Sequence, residues 1–256
     1  WLVTGCSTGF GREIALSALA SGANVGVSAR NPAHVEDICS LYPNTALPIT
    51  LDVIDEQQIT SAVSKLMEYF GKIDILVNNA GYGYLAAIEE GEDLEVRKLF
   101  ETNFFGALSM TKAILPYMRA QRSGRIINNS SQAGLMANPG TGYYSATKYA
   151  LEGLMEALAK EVAPLNIFVT SIQPGAFRTD WSGRSMKRTK YEISDYVKTV
   201  KNRLDMISGI DGKQPGDPQL AAKIVMDLAR HPDPPRQLLL GKGVLTSYRE
   251  KLDEVT

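Results

Sequence analysis

The stretch Thr4-Gly5-Cys6-Ser7-Thr8-Gly9-Phe10-Gly11 restricts the possible folds of this chain more than any other. Before it, Trp1 to Thr4 reads as the end of an apolar strand. After it, Ile14, Leu16 and Leu19 follow a helical pattern. A strand, a glycine-rich turn and a helix start make an anion cradle. Backbone N–H groups and the positive helix end face the ligand, and glycine lets the backbone come close. The spacing is Gly-x-x-x-Gly-x-Gly, not Gly-x-Gly-x-x-Gly. The competing reading is a glycine-rich turn that holds nothing, with Cys6 filling a small position.

Strand and helix patterns then alternate. Residues 24–28 read as a second strand, and 32–41 as a helix with proline in its first turn. Residues 45–51 form a third strand. Residues 55–70 form a helix capped by Asp55, with Ile59, Val63, Leu66 and Phe70 on its apolar face. Residues 73–77 have no polar side chain after Asp74, which suits a strand buried on both faces. Residues 92–119 read as a long helix with a bend or irregular turn near Asn103, because Asn and Gly are weak helix formers. Further strands are expected at 124–129, 166–172 and 237–240. Helices are expected at 142–162 and 218–230, with a short helical tail at 245–252. Together these predict an α/β fold: a Rossmann-type doubly wound parallel sheet of about seven strands, right-handed crossovers, and helices on both faces. With 44% hydrophobic residues and neither a repeat nor a linker, residues 1–256 are expected to form a single domain.

Ligands in such sheets sit at the strand carboxyl ends, and Gly5, Arg30, Asp52 and Asn79 all fall there. At the end of the second strand a carboxylate favours NAD and a basic residue the extra phosphate of NADP. Arg30 stands there without an acid, so NADP(H) is favoured, with Ser7 as a second phosphate contact. NAD(H) stays open if Arg30 is only a solvated charge.

A second constellation lies between Ser130 and Lys148. Tyr144 follows Ser131 by 13 positions (144 − 131) and precedes Lys148 by four on a helical pattern. Residues four apart share a helix face, so the Lys148 ammonium is expected beside the Tyr144 phenol. A nearby cation favours the phenolate, which would lower the phenol from its usual ~10 and make it an acid and base near neutral pH.

Other chemistries find less support. The net charge is −1 without a basic block, which argues against nucleic acid. No apolar run reaches the ~18 residues of a membrane span. Cys6 and Cys39 read as free thiols in a reducing, cytoplasmic setting. His34 and His231 lack metal-ligand spacing, so no metal is expected. The chain opens inside a strand, so residues are expected to precede Trp1.

Taken together, Thr4-Gly5-x-x-x-Gly9-x-Gly11, Asp52-Val53, Asn78-Asn79-Ala80-Gly81, Asn103, Ser131, Tyr144-x-x-x-Lys148 and Pro174-Gly175-x-x-x-Thr179 resemble the short-chain dehydrogenase/reductase family, in its compact single-domain branch. Cys6 to Gly11 and Asn103-Phe104-Phe105-Gly106 look like the branch holding 17β-hydroxysteroid and retinol dehydrogenases. The resemblance implies hydride transfer between a nicotinamide cofactor and a ketone or secondary alcohol. It implies Tyr144 as proton donor and acceptor, Lys148 as its partner and a ribose contact, and Ser131 as a hydrogen bond to the substrate oxygen. Asn103 would hold a relay water. Gly5, Ser7, Thr8, Gly9, Phe10 and Gly11 would cradle the pyrophosphate, and Asp52 and Val53 would meet the adenine. Thr179 would fix the carboxamide, with Pro174, Gly175 and Phe177 beside it. Asn79, Ala80 and Gly81 would brace the central strands along the cofactor.

Tyr82, Tyr84, Gln132, Leu135, Met136, Tyr143, Phe177, Trp181 and Met186 are expected as pocket walls. None of the Arg or Lys residues is expected to be placed for a carboxylate, so the substrate reads as a lipophilic ketone or alcohol. Residues 182–216 are rich in Lys, Arg, Ser and Gly and include Tyr191, Tyr196 and Met206. They read as a substrate lid with a helix near 191–207, or as a solvated insertion. By resemblance, helices 92–120 and 144–163 would pair into a homodimer or homotetramer. Two rival readings are a nucleotide-sugar epimerase, which uses the same Tyr-x-x-x-Lys in longer chains, and a cofactor-binding regulator without turnover.

Overall fold

The first strand, β1 (Leu2–Val3), is two residues long, and both side chains are fully buried. The computed structural model describes the whole chain except Ser182, Arg184, Tyr191 and Glu192, and the side chain of Val255. After β1 come α1 (Gly9–Ala20), β2 (Val25–Ala29), α2 (Glu36–Leu41), β3 (Ala46–Thr50), α3 (Glu56–Phe70) and β4 (Ile75–Asn78). The second half carries β5 (Gly83–Leu85), α4 (Asp93–Phe100), α5 (Ala107–Gln121), β6 (Gly124–Asn129), α6 (Gly142–Val162) and β7 (Ile167–Pro174). It closes with β8 (Met186–Arg188), α7 (Asn202–Gly209), α8 (Pro218–Arg230), β9 (Gln237–Leu240) and α9 (Lys242–Val255).

Seven strands form one parallel sheet in the order β3-β2-β1-β4-β6-β7-β9. The order reverses at β1, so the two halves of the sheet diverge there and leave a crevice at the strand carboxyl ends. One core joins α3, α5 and α6 to a face of the sheet through Leu66, Met110, Ile114, Leu151 and Met155. The other joins α1, α2 and α8 to the opposite face through Ile14, Ala18, Ile38, Ala222 and Val225. Strands covered on both faces are mostly apolar, as in the fully buried β2 and β4, whose only polar side chains are Ser28 and Asn78.

The irregularity expected near Asn103 is a π-helical turn, Glu101–Gly106, between α4 and α5. Such a turn inserts a residue into the ladder and re-aims its side chains, here the buried Asn103. The tail helix α9 is longer than its apolar pattern suggested. In the 182–216 segment, a 3-10 turn (Ser194–Tyr196) and a second π-helical turn (Val197–Lys201) lead into α7. Ser182, Arg184, Tyr191 and Glu192 of that segment lie outside the described residues. β8 in the same segment pairs with β5 in a separate two-stranded parallel sheet.

Candidate active site

At the carboxyl end of β1 the chain turns through Gly5 and Gly9, both left-handed (φ 71° and 59°), a conformation glycine adopts without strain. The Thr8 side chain makes no capping hydrogen bond to α1, and the first turn of α1 carries no acid. Its N–H groups and positive dipole end therefore suit a phosphate, so the cradle fits the pyrophosphate of a dinucleotide. Gly11 has another task. A Cβ there would lie 2.3 Å from Asn79 Nδ2 and 2.4 Å from Gly5 O, and Gly11 does not line the cleft. The turn is held from behind. Asn79 Nδ2 donates to Thr4 O (2.9 Å) and Gly5 O (3.1 Å), and Asn129 Nδ2 donates to Asn79 Oδ1 (2.9 Å). Thr4 Oγ1 accepts from the backbone N–H groups of Asn79 and Ala80. These bonds tie together the ends of β1, β4 and β6.

A continuous cavity of about 800 Å³ runs from this turn along the strand ends. Ser7, Thr8, Gly9 and Phe10 line it at the end of β1, Arg30 just after β2, and Asp52 and Val53 after β3. Asn79, Ala80, Gly81 and Tyr82 follow β4; Ser131 and Gln132 follow β6. Pro174, Gly175, Phe177, Thr179 and Trp181 close the far side. The Phe10 and Phe177 rings meet at 5.1 Å across the cleft.

Tyr144 faces this cavity from the first turn of α6, with only 6% of its surface exposed. Its ring tilts against Trp181 at 5.3 Å. Burial pushes its phenol up to about 12, while hydrogen bonding from Ser131 and Trp181 works the other way. Lys148 sits one helical turn behind, outside the cavity lining. Its Nζ donates to Asn129 O at 2.8 Å and lies 5.7 Å from the Tyr144 ring centroid. Burial lowers its ammonium to about 8, partly offset by Glu152. The expectation that Lys148 lowers the Tyr144 pKa is thus corrected. In the free protein both groups are desolvated, and burial raises the phenol although the ammonium stands over its ring.

Ser131 is the serine at the tyrosine; it also accepts from Ala133 N and starts the short turn after β6. Ser130 also lines the cavity. Asn103 lies behind the wall. Its Nδ2 donates to Tyr82 O (2.9 Å) and Thr147 Oγ1 (3.2 Å), and its Oδ1 accepts from Tyr82 N (3.0 Å). Its side chain is therefore committed to fixing the loop after β4.

Five expected wall residues stand elsewhere. Tyr143 turns its hydroxyl to Ile88 O (2.5 Å) and packs on Gly91. Tyr84 is buried and accepts from Glu92 N (2.9 Å). Met186 lies on β8 against Gly83, and neither Leu135 nor Met136 lines the cavity. Leu135 instead offers its carbonyl to the Tyr149 hydroxyl. Lys98, Lys187 and Arg203 line the cavity as well, with Lys98 and Lys187 both paired to Glu95. The signal for Arg203 was present: Arg203, Met206, Ile207 and Ile210 are spaced i, i+3, i+4, i+7 and line one wall. Among the described residues no cluster of side chains could hold a metal ion, and no helix is long and apolar enough to cross a membrane.

A family model described as short chain dehydrogenase matches residues 1–190. Oxidoreductase BOA17 of Botryotinia fuckeliana is 35% identical, covering 100% of this chain and 93% of that protein. A 3-ketodihydrosphingosine reductase of Bacteroides thetaiotaomicron is 37% identical over 94% of this chain and 87% of its own. The crystal structure of a short-chain dehydrogenase from Streptomyces avermitilis superposes with a TM-score of 0.93 at 39% identity, covering 100% of this chain and 93% of that one. Sheet order, strand-end crevice and glycine turn agree with this likeness throughout, and the chain belongs to the short-chain dehydrogenase family of oxidoreductases, which bind nicotinamide cofactors.

Proposed function

We propose that the protein is an NADP(H)-dependent carbonyl reductase or secondary-alcohol dehydrogenase acting on a lipophilic ketone or alcohol, with Tyr144 as general acid and base. The observation that carries this reading is the single cavity shared by the glycine turn, Ser131 and Tyr144, with Lys148 buried behind. A nicotinamide bound there would supply or accept the hydride. The chain's own residues do the rest. The Tyr144 phenol gives its proton to the carbonyl oxygen as negative charge develops on it, and the Ser131 hydroxyl donates a hydrogen bond to the same oxygen. Burial favours the protonated phenol, which agrees with a proton donor in ketone reduction. Lys148 stabilises the phenolate left behind and, from its place behind Tyr144, would reach a ribose hydroxyl. With its side chain committed, Asn103 would order a relay water through its backbone carbonyl. The name of the Bacteroides relative, a ketone reductase, agrees with this direction.

Arg30, exposed at the end of β2 and without a neighbouring acid in the Ala29-Arg30-Asn31 turn, supports NADP(H) over NAD(H). The segment 182–216 acts as a lid over the substrate end of a single domain. A cytoplasmic setting agrees with two free thiols, Cys6 and Cys39. A homodimer or homotetramer formed through α5 and α6 agrees with Phe105 and Tyr149, which leave 45% and 42% of their surfaces exposed near those helices. Fluorescence titration with NADPH and NADH tests the cofactor: NADPH should bind at least about tenfold tighter, and Arg30→Ala should remove the difference. Tighter NADH binding would put Arg30 in solvent and reverse the assignment.

A further inference from the structure

Arg203 differs from the other cations along the cavity. Lys98 and Lys187 are both paired with Glu95, at 2.8 Å and 2.5 Å. Arg30 stands at the opposite end, just after β2. Arg203, on α7, has neither a hydrogen bond nor an ion pair among the described residues, and its Nε is buried without an acceptor. The acids Glu101 and Asp180 also line the cavity, and neither is paired with Arg203. The neighbours of Arg203 along the chain are engaged. Val200 of the preceding π-helical turn and Leu204 of α7 pack under Gly140 and beside Leu85, and Lys201 pairs with Asp205. The remaining face places Arg203 one turn before Met206 and Ile207 and two turns before Ile210, and Met206 is 63% exposed.

A half-buried guanidinium without a partner is costly, and Met206 and Ile210 beside it are exposed while Ile207 packs inward. One ligand satisfies both: an anion at one end, hydrocarbon along Met206 and Ile210, and the reacting carbon near Tyr144. The planar guanidinium matches a carboxylate in geometry. It also matches in charge, because one guanidinium balances one carboxylate, whereas a phosphate monoester carries close to two negative charges.

We propose that Arg203 reads a carboxylate on the substrate, which makes the substrate an acid-bearing lipophilic ketone or the matching alcohol. This inference rests on the carbonyl reductase reading and narrows it. It also makes Arg203 a specificity residue rather than a catalytic one, because its contact is to the carboxylate and not to the reacting carbonyl.

The test uses methyl ketones that end in a carboxylate at increasing chain length, each paired with its methyl ester, at pH 8 with NADPH. The wild type should favour the acid of the best pair at least tenfold in kcat/KM. Arg203→Met should bring the acid-to-ester ratio near one, and Arg203→Lys should restore part of it. A ratio near one in the wild type, or one that Arg203→Met leaves in place, overturns the inference. If no ketone is reduced by any variant, the reductase reading fails instead. Quenching of Trp181, which lines the same cavity, by decanoate and methyl decanoate then decides the inference alone. Tighter decanoate binding that depends on Arg203 sustains it, and equal binding refutes it.

Discussion

Replacing Lys148 with methionine probes how deeply the tyrosine–lysine pair is desolvated. Methionine keeps the length and helix propensity of the side chain and removes only its charge and the bond to Asn129 O. Lowering the ammonium from 10.5 to about 8 means that the folded state loses its proton before the unfolded state does. Between those values the unfolded chain binds more protons, so stability rises with pH. The full shift corresponds to roughly 3 kcal/mol of charged-state penalty at neutral pH, at about 1.4 kcal/mol per unit. Raising the pH from 7 to 9.5 should relieve about 2 kcal/mol of it in the wild type. The lost bond to Asn129 O costs the variant about 1–3 kcal/mol, and the weaker donation of the neutral amine is already contained in the lowered pKa, so the pH-dependent difference stands. Urea unfolding without cofactor, at pH 7 and 9.5 with reductant present, gives the two stability differences. The wild type should gain about 2 kcal/mol relative to Lys148→Met. Parallel behaviour of the two proteins would refute the claim that Lys148 is desolvated in the free protein.

Other substitutions separate packing from chemistry. Gly11→Ala drives a methyl into Asn79 and Gly5 O and should cost about 1–3 kcal/mol with a clear loss of NADPH affinity. Gly153→Ala, in mid-helix with nothing near the new methyl, should stabilise by about 0.5–1 kcal/mol in the same thermal and binding assays. Tyr143→Phe removes the bond to Ile88 O and should lower stability by about 1 kcal/mol while steady-state turnover stays unchanged, since the hydroxyl points away from the cavity. A thiol reagent at pH 8 should modify Cys39 first and Cys6 only on unfolding, because burial holds the Cys6 thiol at about 12.

The parts of the fold that read clearly in the sequence are those whose burial is uniform. β4 is apolar from Ile75 to Val77 because helices cover both faces, and α8 runs between the polar residues Asp217 and His231. The polar strand ends also showed where a ligand cleft would lie. What did not read through is long-range or built from few residues. β5 and β8 pair three residues apiece across about a hundred positions, and Lys187 and Arg188 give β8 no apolar pattern. The π turn at Asn103 registered only as poor helix formers, because composition carries no ladder register. Side-chain aim is equally silent: Tyr143 and Tyr144 are neighbours on one helix, yet one faces Ile88 and the other the cleft. The electrostatics of Tyr144 turned on burial, which spacing to Lys148 does not contain.

The central claim is that Tyr144 transfers the proton, and Tyr144→Phe tests it most directly. The ring stays against Trp181 and only the hydroxyl is lost. NADPH should bind Tyr144→Phe within about threefold of wild type by fluorescence, while NADPH oxidation with the best ketone should fall by roughly 100-fold or more, the usual range for losing a general acid. Full turnover by Tyr144→Phe with unchanged cofactor binding would contradict the account.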